Sequence, residues 1–116
     1  RLEKIFEVTG VAATAKKCEA MGGILKETNS LIKQTDLGVV RDAGSIAADQ
    51  KVKHYEIATY GTLKAKTKTL GENKAANLLA MSLDEEKKTD AALTGIAMSH
   101  INNQAHKADA ITNIKA

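Results

Sequence analysis

Proline is absent from all 116 residues, and two stretches, about Val39 to Leu70 and about Glu72 to Asn102, run without a strong breaker. Nothing in either stretch removes a backbone donor or forces a turn, so each predicts one long helix, with Gly71 placed to end the first. A shorter helix is expected over about Glu19 to Gln34. Its apolar positions Met21, Ile24, Leu25, Leu31 and Ile32 lie mostly on one side, and Gly22 and Gly23 weaken it by roughly 1 kcal/mol each relative to Ala. Arg1 to Glu7 (RLEKIFE) reads as the last turns of an amphipathic helix with Leu2, Ile5 and Phe6 on one face, closed by Gly10. The chain is thus expected to open inside an element. VAATAKKC then reads as a connection, and Thr35 to Gly38 as a second break. The polar segment from about His106 to Ala116 lacks a strong stripe and is expected to be partly disordered. No internal repeat or low-complexity linker divides the chain, so residues 1–116 are read as a single all-α domain.

Composition narrows the function classes. With 43% hydrophobic residues but only 3% aromatic, small aliphatic side chains must pack the helices. No apolar run is long enough for a membrane span, so no membrane partner is expected. The net charge of +3 arises from basic residues interleaved with acids rather than from a basic arm, which argues against nucleic acid as a partner. Cys18 is the single cysteine. It can form no intramolecular bridge, which agrees with a reducing, cytoplasmic setting. No GxGxxG, P-loop, HExxH or GxSxG pattern is present, nor any Cys and His arrangement that suggests a nucleophile.

The functional lead is three acids in line with apolar stripes. On the first long helix Ile46, Asp49, Lys53, Glu56, Tyr60 and Leu63 recur at spacings of three and four. On the second, Ala76, Leu79, Leu83, Glu86, Asp90, Leu93 and Ala97 do the same. Glu86 and Asp90 stand one turn apart, where two unpaired, dehydrated carboxylates would cost several kcal/mol. A bound cation would remove that cost, and an all-oxygen ligand set suits iron, manganese or magnesium better than a thiolate-seeking metal. The competing reading makes DEEKK (Asp84 to Lys88) a solvated face with an i, i+4 pair between Asp84 and Lys88. It is preferred for Asp84, Glu85, Lys87 and Lys88. His54 lies beside the stripe and His100 and His106 beyond the acids, so structural histidines are expected there. Tyr60, one turn from Glu56, is placed either to pack in the core or to hydrogen-bond a carboxylate.

KKCEAMGGIL (Lys16 to Leu25), RDAGSIAADQKVKHYEIATYGTL (Arg41 to Leu63) and LDEEKKTDAALT (Leu83 to Thr94), in this order and spacing, closely resemble the YciE/YciF-like bacterial stress proteins of the ferritin-like superfamily. The resemblance spans nearly the whole chain. It implies a ferritin-like antiparallel helical bundle, here without its amino-terminal helix and most of its second. It also implies a dinuclear carboxylate site holding two iron or manganese ions in the complete protein, with Glu56, Glu86 and Asp90 as ligands and Tyr60 behind them. Oxygen or peroxide chemistry would follow. Two features depart from the pattern. Ferritin-like sites usually include Glu-x-x-His, which is absent here, with Glu86 and Asp90 standing in its place. Lys53 also sits before HYE, where the resemblance leads us to expect an acid. The alternative is a non-catalytic helical assembly protein whose acids make salt bridges with residues such as Lys53. In either case a homodimer is expected, because an incomplete bundle leaves an apolar face in need of a partner.

Overall fold

The computed structural model describes the backbone of residues 1–115 and the side chains of residues 1–108. Helix α1 spans Leu2–Thr9, α2 Glu19–Gln34, α3 Val39–Thr69 and α4 Asn73–Ile96; a π-helical turn at Ala97–Ile101 then leads into α5, Asn102–Lys115. No strand occurs among the described residues. The all-α expectation holds, and the limits of α2 and α3 fall where the sequence places them, to within a residue.

Two of the breaks have a clear cause. After α3, Gly71 takes a left-handed φ of 77°. Its N–H reaches the Lys68 carbonyl at 3.1 Å while Glu72 N–H reaches Thr67 at 2.9 Å, the paired bonds of a Schellman stop. Gly10 ends α1 likewise, with φ 71° and the Val11 N–H on the Phe6 carbonyl at 3.2 Å. The end of α2 is closed from outside: Arg41 of α3 donates to the Ile32 carbonyl at 2.7 Å and also to the Thr35 carbonyl, so its guanidinium serves carbonyls that the helix leaves open.

The last helix differs from expectation. Instead of ending near Asn102 it passes through the π turn and continues to Lys115. The Ser99 hydroxyl bonds the Ile96 carbonyl at 2.9 Å, competing with the backbone ladder where the helix loosens. No glycine or proline follows to stop it. The expectation of disorder bears largely on Asp109 to Ala116, whose side chains lie outside the described residues.

Helices α3 and α4 form the main interface, α2 packs on α3, α1 on α4, and α5 returns to α3. The α3–α4 pair is antiparallel: Gln50 meets Thr94 near one end, while Lys53 meets Glu86 further along. On the α4 side its core consists of Ala75, Ala76, Leu79, Ser82 and Leu83, mostly small side chains that let the two helices approach, while the buried Ala48 lies with Gly44 on the face of α3 that meets α2. The helices lie in a plate of 62 × 28 × 18 Å with a radius of gyration of 18.6 Å, against about 13 Å for a compact domain of this length. Among the described residues no helix is long and apolar enough to cross a membrane.

Candidate functional site

The seam between α3 and α4 holds the acids that the sequence singles out. Lys53 projects from α3 to α4, where its Nζ lies 2.9 Å from Glu86 Oε2, with side chains only 19% and 17% exposed. Oε2 is buried and makes no directed hydrogen bond, so it is compensated by the ammonium's charge rather than by an aligned donor. The contact with Glu86 holds the Lys53 pKa above its ordinary value, with Glu56 and Asp49 adding to the effect and burial opposing it. Glu56 lies three residues beyond Lys53 on the same face and meets Glu86 across the interface. Burial first, then its hydrogen bond with Glu86 and that residue's charge, raise the Glu56 pKa, while Lys53 pulls it down. Tyr60, one turn on, is likewise raised by burial and then by the negative field of Glu56 and Glu86. Its phenol therefore keeps its proton beside the acids.

Asp90 belongs to a second cluster one turn along α4. Its Oδ2 lies 3.0 Å from His54 Nε2 and its Oδ1 3.3 Å from Gln50 Nε2, while Gln50 also donates to the Thr94 hydroxyl at 2.7 Å. The three sequence-singled acids thus separate into Glu56 with Glu86, around Lys53, and Asp90 with His54 and Gln50. Among the described residues no three His, Cys, Asp or Glu side chains group as metal ligands. Glu56 and Glu86 offer hard oxygen donors from two helices, the chemistry that iron or manganese prefers, but an ammonium sits against one of them.

At the other end of the seam Arg1 forks onto Glu85, with Nη1 2.7 Å from Oε2 and Nη2 on Oε1, and it reaches Ser82 Oγ at 3.2 Å. With Leu2, Tyr60 and Glu86 these residues line an open groove of about 540 Å³. On the opposite side of α3, Cys18 caps α2 by accepting from Met21 N–H at 3.4 Å and lies 3.2 Å from the Tyr55 hydroxyl.

Sequence reasoning did not find Gln50, Arg1 or the Cys18–Tyr55 contact, and it read His54 as merely structural. One signal for the second cluster was present, since Gln50 and His54 on α3, and Asp90 and Thr94 on α4, are each i, i+4 pairs. It became informative only once the helix register was known. The Asp84–Lys88 pair expected on the solvated face forms, at 2.8 Å.

An antiparallel helical bundle with partly buried carboxylates facing each other between its two longest helices is the ferritin-like arrangement that the sequence pattern implies. The chain belongs to the family described as a domain of unknown function, DUF892, which it matches over residues 1–106. Protein YciF of Escherichia coli K12 is 46% identical over 109 residues, covering 90% of this chain and 66% of YciF. The crystal structure of the E. coli stress protein YciF superposes with a TM-score of 0.82 at 45% identity, over 87% of this chain and 64% of that one. YcfI of Rhodopseudomonas palustris, provisionally described as a structural protein, gives a TM-score of 0.77 at 34% identity, over 80% and 59%. The chain therefore spans about two thirds of the length of these relatives or less.

Proposed function

We propose that the chain acts in the cytoplasm as a self-associating helical scaffold within a bacterial stress response, with a second copy of itself as partner. The observation that carries this reading is the lack of a deep core. Among the described residues Leu79 and Leu83 are the only large apolar side chains that are buried, whereas Leu2 and Met81 are 51% and 52% exposed and Leu70 is 76% exposed. Helices that leave this much apolar surface open gain stability by pairing, and a two-fold arrangement of two such layers closes a bundle. The stress-protein name of YciF and the provisional structural description of YcfI point the same way. Sedimentation of the 116-residue chain is expected to give a dimer. Met81→Glu combined with Leu2→Glu should shift it towards monomer; a monomeric wild-type chain of ordinary thermal stability would overturn the scaffold.

A second reading, the iron or manganese carboxylate protein, is favoured by the meeting of Glu56 and Glu86 across α3 and α4. Metal held there would supply oxygen or peroxide chemistry, with Glu56 and Glu86 as ligands, Asp90 recruited by release from His54 and Gln50, and Tyr60 behind them. Elemental analysis after anaerobic loading tests it. Retention of metal by the wild-type chain, abolished by Glu56→Ala and by Glu86→Ala, would place this reading ahead of the scaffold.

A further inference from the structure

Two acids brought together between packed helices need a positive charge, and the structure has one already in place. We propose that Lys53 is the resident cation of the α3–α4 seam: its ammonium supplies the positive charge that Glu86 and Glu56 need there, so this chain closes the seam without metal.

Three observations carry the proposal. First, Nζ stands 2.9 Å from Glu86 Oε2, and an ion needing metal–oxygen bonds of about 2.1 Å could not enter beside it without expelling it. Charge repulsion between ammonium and dication opposes their sharing the site. Second, Glu86 Oε2 is buried without a directed hydrogen bond, so this ammonium is the group that offsets its loss of hydration. Third, Asp90, the next acid on the same face of α4, is engaged by His54 and Gln50, which removes the next ligand from reach. The field of Glu56 and Asp49 also acts on Lys53, giving the ammonium several acids to serve. The inference deepens the scaffold reading by naming what neutralises its interior. It is tested separately, since oligomeric state reports on the scaffold and metal response on Lys53.

The test uses the 116-residue chain stripped of metal with chelator, then measured with and without Mn²⁺ by thermal unfolding and by elemental analysis after gel filtration. The wild type is expected to retain no Mn²⁺ and to show no change in Tm. Lys53→Gln leaves the two acids uncompensated, so its Tm should fall by roughly 10 °C and recover when Mn²⁺ is added. The double variant Lys53→Gln with Glu86→Gln removes the conflict. It should regain most of the lost Tm and ignore Mn²⁺, and it answers the question even if the single variant fails to fold. Retention of Mn²⁺ by the wild type, a Lys53→Gln chain as stable as wild type, or a double variant as weak as the single would each overturn the proposal.

Discussion

Helices α3 and α4 meet through alanines, Ser82 and two leucines, whereas α2 rests on α3 with none of its own residues buried. Small residues at Ala75 and Ala76 of α4 let α3 and α4 approach closely enough to leave Lys53 and Glu86 only 19% and 17% exposed, and this makes the charges of Lys53, Glu56 and Glu86 matter to one another. Along α2 the side chains that face α3, Ile24, Thr28 and Leu31, stay only part-buried, and Leu25 beside them is 48% exposed, so this contact stays wetter. How fully the contact is buried, more than the number of apolar residues, decides where this chain can hold a charged seam.

The largest expected effect breaks the tighter interface. Leu79 is 2% exposed, so Leu79→Ala should cost about 3 kcal/mol through lost burial and a residual cavity. Leu25→Ala on α2 should cost well under 1 kcal/mol in the monomer, because about half of that side chain is already in water. Chemical denaturation of both variants checks the contrast. Equal losses would show that Leu25 is covered by a second copy.

How much of this was legible in the sequence follows the range of the interactions. Gly10 and Gly71 mark stops because a positive φ is a property of the residue itself, and the limits of α2 and α3 could be read from periodicity and breaks. The acids could be placed on the seam for the same reason. Their partners could not, since whether Glu86 meets Lys53 or Asp90 meets His54 depends on how two helices slide past each other. The π turn was invisible because it arises from competition for the Ile96 carbonyl within an otherwise ordinary helical pattern. The run of α5 to Lys115 is not legible in the sequence because the apolar stripe weakens there, although no glycine or proline follows Asn102 to end the helix.

Next in size is the stop after α3. With φ at 77°, Gly71→Ala forces a left-handed alanine and should cost about 1–2 kcal/mol, loosening the turn that brings α4 back onto α3. Gly22→Ala acts in the opposite sense. An added Cβ meets nothing within 4 Å, so helix propensity alone should stabilise the chain by up to about 1 kcal/mol. Gly44→Ala provides the control, because its Cβ would lie 3.0 Å and 3.1 Å from the two methyls of Leu31 at the closest approach of α2 to α3. Its gain should be smaller or reversed. If Gly44→Ala stabilises as much as Gly22→Ala, Leu31 yields freely and α2 is more loosely seated than the contact implies.

The smallest effect, and the one that sharpens the contrast between enclosed and open charges, is the pH dependence of Glu56 against Glu85. Burial and Glu86 raise the folded-state pKa of Glu56, so the folded chain holds that proton more tightly than the unfolded chain does. Stability from Glu56 is present below its ordinary value near 4.5 and is lost as pH rises through the raised folded value. Glu85 runs the other way: Arg1 lowers its pKa, so its contribution is present above the ordinary value and is lost as pH falls through the lowered one. Against wild type, Glu56→Gln should therefore gain relative stability with rising pH, while Glu85→Gln should lose it. Salt distinguishes their origins, because Glu85 is 59% exposed in its pair with Arg1 and its dependence should fade at high ionic strength, whereas that of Glu56, set first by burial, should persist. Thermal unfolding of both variants across acidic pH at two salt concentrations measures the signs directly. Parallel slopes, or equal sensitivity to salt, would mean that the α3–α4 seam is no better shielded from water than the outer edge of the plate.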